Sequence, residues 1–107
     1  MSVDVGEIKG RHDLIEEINE VVGVWEIWIE ECPINPIKVK VIHFYPQDMY
    51  MGVANYSIQN PNQAGPYKSL HQLRTAQEAL EDAIQGFLMF YDEKLKDQIK
   101  FVRDEDF

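Results

Sequence analysis

Thr75-Ala76-Gln77-Glu78 has the spacing of a helix capping box, a hydroxyl residue followed three positions later by a glutamate. Beyond it, Ala79, Leu80, Ala83, Ile84, Phe87, Leu88 and Tyr91 recur at three- and four-residue intervals, with Glu81, Asp82 and Gln85 opposite. Side chains so spaced share one face of an α-helix, so the rest of the chain must supply an apolar surface to receive it. Around Gly86 the pattern changes. Phe87-Leu88-Met89-Phe90-Tyr91 is apolar on every side, and this turn needs cover from more than a sheet. The segment Asp97 to Phe107, with Ile99, Phe101 and Val102 before Asp104-Glu105-Asp106, is expected to fold back over Met89 and Phe90 as an acidic tail over 95–107. A second subunit is the alternative cover, and a homodimer is expected on that ground.

The receiving surface is written in period two. From Val24 to Glu31, Trp25, Ile27 and Ile29 alternate with Glu26, Trp28 and Glu30, which places the first set against the helices. From Ile37 to Tyr45, Ile37, Val39 and Val41 alternate with Lys38 and Lys40, which are expected to face Glu26 and Glu30 across a hairpin. Cys32-Pro33-Ile34-Asn35-Pro36 separates the two runs, because neither proline has a backbone donor. After a turn at Pro46-Gln47-Asp48, a third strand is expected over Met49 to Ile58, with Tyr50, Gly52, Ala54 and Tyr56 on one face and Met51, Val53 and Asn55 on the other. Gly52 and Ala54 leave room for a close helix approach or a bulge. Gln59 to Tyr67 is a polar loop rich in turn residues. Residues 68–73 are expected to form a short fourth strand or an extended approach to the helix.

Residues 1–10 show no period and are expected to be an extended lead-in. A first helix is expected from Asp13 to Val22: Asp13 and Glu16 stand at capping-box spacing, and Leu14, Ile15, Ile18, Val21 and Val22 fall on one stripe. Gly23 would end it with a left-handed residue. The expected fold is therefore α+β, a three-stranded or four-stranded antiparallel sheet with helices on one face, in the order α-β-β-β-α over 11–94. The order resembles the double-stranded-RNA-binding domain. That family binds through lysines at the start of its last helix, where this chain has Ala76, Gln77 and Glu78. Its basic loop is replaced by Pro46-Gln47-Asp48. Topology alone does not transfer function.

A chain of 107 residues fits one domain and can bury a core without staples. The single Cys32 excludes an internal disulfide and suits a reducing compartment. With no signal-peptide pattern near Met1 and no long apolar run, a cytoplasmic protein without membrane contact is expected. The net charge of −9 is unevenly spread. Residues 1–35 hold nine acids against two bases, residues 36–76 one acid against four bases, and residues 77–107 nine acids against four bases. Acidic ends repel phosphate backbones, which disfavours generic nucleic-acid binding.

No motif for catalysis survives inspection. His12, His43 and His71 lack metal-ligand spacing, Cys32 sits in no nucleophile motif, and no glycine-rich phosphate loop is present. No catalytic residue, metal or cofactor is assigned. What exceeds the ordinary is a set of aromatic and apolar residues outside the main alternation: Trp28, Phe44, Tyr45, Tyr50 and Tyr67, with Met89 and Phe90 on the last helix. The expected role is a small acidic interaction or regulatory module with a protein partner. One alternative is an acidic inhibitor or nucleic-acid mimic of the mobile-element type, presenting Glu16, Glu17 and Glu20. Another is a ligand-binding or enzymatic pocket between the sheet, the 59–67 loop and the last helix, lined by His43, Tyr56 and Tyr67.

Overall fold

The computed structural model describes residues 3–45, 47–61, 65–68, 70–91 and 97–107. The elements are α1 (Val5–Arg11), β1 (Asn19–Ile27), β2 (Ile37–Phe44), β3 (Met49–Ala54), β4 (Tyr56–Gln59), α2 (Ala76–Met89) and β5 (Lys100–Arg103). The class is α+β. β1, β2 and β3 form an antiparallel sheet in that order, and β4 pairs with β5 in a second, two-stranded sheet.

The centre of the molecule follows from the alternation in β2. Ile37, Val39 and Val41 are fully buried, while Lys38 points outward. Opposite Val41 lies Gly52 of β3. A Cβ at Gly52 would stand 2.3 Å from the Ala79 carbonyl oxygen and 2.9 Å from the Ala83 Cβ. Here the helix backbone rests directly on the strand, and α2 crosses β3 and β2 on a stripe of small residues, Ala79, Ala83 and Gly86, before Phe87. The start of α2 is as its sequence requires: the Thr75 hydroxyl accepts from the Glu78 amide at 3.1 Å. Leu73 bridges Tyr50 through two backbone hydrogen bonds of 2.7 Å, so 70–73 is an extended approach along the outer side of β3.

At the far end of α2 a second cluster buries Cys32, Ile37, Ile58, Phe87 and Ile99, with Phe90, Tyr91 and Phe101 packed against it. The tail thus covers this end of the helix as a strand. It reaches Phe87 and Phe90, whereas Leu88 and Met89 stay exposed. The third strand ends early because Asn55 changes partners. Its side chain accepts from the Lys38 amide and its backbone N–H donates to the Lys38 carbonyl, both at 2.8 Å, while its own carbonyl accepts from Asp104. The ladder passes from β2 to β5 at this residue, so residues 49–58 make two strands in two sheets.

The N-terminal third departs from expectation. The lead-in is helical: Asp4 caps α1 by accepting from the Glu7 amide at 2.9 Å, and Glu7 pairs with Arg11 one turn later. The helix expected over Asp13–Val22 does not form. Leu14 is 98% exposed, residues 15–18 are irregular, and Asn19 to Val22 belong to β1. The reason lies in β2, whose second edge has backbone donors and acceptors to satisfy. The β-branched Val21-Val22 pair, next to Val24, suits a ladder better than a helix. Gly23 accordingly caps nothing. It lies in β1 after a bulge between Val21 and Gly23, and the Trp25 indole folds over it. Glu26 does lie opposite Lys38, but Lys40 lies opposite Val24, and Glu30 falls beyond the strand.

Candidate interaction surface

The residues singled out by sequence fall into separate groups. Tyr45 and Tyr50 flank His43, at ring-centroid distances of 4.5 and 4.3 Å, the second pair stacked. His43 Nε2 lies 2.7 Å from Asp48 Oδ1, and Tyr45 donates its hydroxyl proton to Glu20. The Glu20 hydrogen bond raises the Tyr45 phenol above its ordinary value of 10.0, assisted by desolvation and the negative charge of Glu20. This network joins β1, β2 and the β2–β3 turn, where Asp48 has a left-handed φ of 51°. It acts as a latch on the turn.

A second group packs Tyr67 on Phe90 at 4.8 Å. Tyr56 lies at that same end of the molecule, packed on the Ile37 cluster. Six residue steps along β2 take Ile37 to His43, roughly 20 Å of extended chain. The pocket expected among His43, Tyr56 and Tyr67 is therefore not assembled. Glu16 and Glu17 are exposed in the irregular connection before β1, apart from any helix, and Glu20 is engaged by Tyr45. Phe44 is half-buried at the end of β2, and Trp28 stands exposed just past the end of β1. Among the described residues, no group of three or more His, Cys, Asp or Glu side chains is suited to hold a metal ion, and no helix is long and apolar enough to cross a membrane.

The sequence reading missed where unspent apolar surface collects. α2 covers β2 and β3, and β1 lies on the far side of β2 as the outer strand. Gly23, Trp25 and Ile27 align with Val41, Val39 and Ile37, so they share the helix-bearing face. Trp25 is nevertheless 37% exposed. The orientation of α2 explains what borders it. His71 contacts Asp82 at 3.0 Å from the segment running along β3, so the Asp82 flank of the helix faces β3. Helical spacing then places Leu80 and Ile84 on the flank nearer β1. Trp25 thus lies exposed at the sheet edge beside that flank, while Ile27 packs against the Ile37 cluster. On the strand itself Val21, Val22 and Val24 are also exposed.

No protein-family model matches the chain, and no curated protein or solved structure is significantly similar to it. The surface must therefore be judged on its physics.

An outer strand carries unpaired backbone donors and acceptors, which natural proteins shield unless they use them. Among the described residues, no strand pairs with the outer side of β1. Its charge is also quiet in a chain of net charge −9: Glu20 is bound by Tyr45, and Glu26 stands across the ladder from Lys38. Lys68 likewise faces an acid of the tail, its Nζ 3.4 Å from Asp104 Oδ2, and the Lys40 Nζ lies 4.8 Å over the Phe107 ring. The molecule is elongated as well. Its radius of gyration is 16.2 Å, against about 13 Å for a compact domain of this length.

Proposed function

We propose that this protein is a non-catalytic interaction module whose binding element is the outer edge of β1 with the exposed Trp25 on it. The observation that carries the reading is Trp25, a large aromatic on the helix-bearing side of the sheet that is still 37% exposed, on a strand whose outer edge pairs with no strand among the described residues. Rigid aromatics beside exposed backbone groups are the usual anchors of strand-addition interfaces, where main-chain hydrogen bonds supply affinity and flanking pockets supply selectivity. The acidic ends keep such a module soluble while leaving β1 without unmatched acids.

The test is affinity capture with wild-type protein and with Trp25→Asp, followed by cross-linking to locate contacts. A partner retained by wild type, lost by the variant and cross-linked near β1 is the expected result. Partners captured equally by both, or cross-links confined to other faces, would overturn the reading. Trp25 is 37% exposed at the sheet edge, and far-UV circular dichroism with thermal unfolding checks that the variant folds before capture.

A further inference from the structure

We infer that the occupant of the β1 edge is the β1 edge of a second copy, paired antiparallel about a two-fold axis at Trp25. This rests on the interaction reading above and names its partner.

Three observations lead there. First, the bulge between Val21 and Gly23 ends the regular edge, leaving Gly23 to Ile27 as the straight stretch available for pairing. Antiparallel pairing of that stretch with itself is centred on Trp25. It sets Gly23 opposite Ile27, Val24 opposite Glu26, and Trp25 opposite Trp25. No acid stands directly opposite an acid: Glu20 is bound by Tyr45 and lies outside the ladder, and Glu26 has Lys38 across its own ladder. A two-fold axis makes the contact isologous and closed, which limits assembly to a dimer.

Second, the spacing of such a dimer leaves room for Trp25. The merged sheet would be six strands wide, with both α2 helices on one face. With strands about 4.8 Å apart and each helix over the β2–β3 boundary, the two helix axes would stand roughly 19 Å apart. Directly packed helices approach to about 8–10 Å. The remaining gap admits one additional layer of large side chains, which the two Trp25 indoles would supply.

Third, the strand has apolar surface to cover: Val21, Val22, Val24 and Trp25 are 56%, 41%, 53% and 37% exposed, and pairing with a second copy shields part of it from water.

The experiment is sedimentation equilibrium over a concentration series on wild type, Val24→Glu and Val24→Lys. Val24 is 53% exposed on its own strand, so neither substitution disturbs the core. Within its own chain position 24 faces Lys40, which favours Glu over Lys there, so thermal midpoints of the monomers are compared to separate this effect from dimerisation. Wild type is expected to reach twice the 12.5 kDa chain mass. Val24→Glu places two glutamate pairs across the ladder and weakens the dimer by about tenfold or more, whereas Val24→Lys, facing Glu26, preserves or tightens it. Amides from Gly23 to Ile27 gain hydrogen-exchange protection with concentration. A wild-type mass of one chain throughout, or a dimer indifferent to the sign of the charge at 24, overturns the inference. A monomer that still captures a Trp25-dependent partner overturns self-pairing alone and leaves the interaction reading standing.

Discussion

Gly23 in β1 and Gly52 in β3 lie in the same sheet and on the same face, and each is closed to a side chain for a different reason. At Gly52 the obstacle is backbone: the Ala79 carbonyl and the Ala83 Cβ already occupy the space. At Gly23 the obstacle is the far end of the Trp25 ring, 2.8 Å from where a Cβ would stand. The first contact is between two rigid elements and cannot relax without lifting α2 off the sheet. The second involves one side chain beside solvent, which can swing away. The contrast extends outward from both residues. Around Gly52 the sheet is packed on the helix, and around Gly23 it waits for cover.

Substitutions placed in matched pairs test this division. Gly52→Ala is expected to have the largest effect, a loss of about 3 kcal/mol in urea unfolding, since overpacking against backbone has no inexpensive escape. A stability within about 0.5 kcal/mol of wild type would mean that α2 does not sit on β3 as described. Next comes the same change on two strands. Val39→Ala is expected to cost about 2 kcal/mol, because Val39 is fully buried. Val24→Ala on the outer strand should remain within about 0.5 kcal/mol when measured on the monomer. Equal costs would erase the distinction between the covered and uncovered strands.

Gly23→Ala is smaller again. A change of less than about 1 kcal/mol, accompanied by an altered Trp25 fluorescence maximum, is the expected result, because the ring rather than the backbone yields. A loss matching that of Gly52→Ala would show the ring to be locked.

The smallest effect concerns alkaline pH. The Tyr45 phenol titrates above 10.0 in the folded chain because it donates to Glu20. The neutral phenol is thus favoured by folding, so its contribution is complete below pH 10 and declines as pH rises through the raised folded value. Tyr45→Phe should lower stability slightly at neutral pH and flatten its dependence above pH 10, as read by denaturation at pH 8 and pH 11. An unchanged slope would place the alkaline sensitivity elsewhere.

Much of the packed half was legible in the sequence. Thr75 and Glu78 mark the start of α2 with local chemistry, and Ile37, Val39 and Val41 declare a buried strand face by alternation. Gly52 signals a close helix approach or a bulge, and the structure shows the approach. The N-terminal third was not legible in the same way. Asp4 and Glu7 cap a real helix, and Asp13 and Glu16 have identical spacing yet cap none. The stripe from Leu14 to Val22 fits a helix period, but the same valines fit a strand, and period alone does not decide between them. The break at Asn55 was equally hidden, since a hydrogen bond to Lys38, 17 residues away, leaves no mark in a local pattern. Of the aromatics singled out in the sequence, Trp28 stands exposed whereas Phe44, Tyr45, Tyr50, Tyr67 and Phe90 are half-buried, and Trp25 was assigned to the core.

The sequence by itself determined the α+β class, the capped last helix, the buried face of β2 and the turn segments around Cys32 to Pro36. Each of these depends on interactions within a few residues, where side-chain type and spacing are sufficient. Only the tertiary structure decided that residues 19–22 extend rather than coil, that the tail closes a second sheet with β4, and that α2 shelters β2 and β3 but not β1. Those outcomes depend on which backbone edges remain unpaired and how far a helix some 10 Å wide reaches across strands about 4.8 Å apart. Trp25 carries the alternation of a core residue, and it is the reach of the helix that leaves it at the surface.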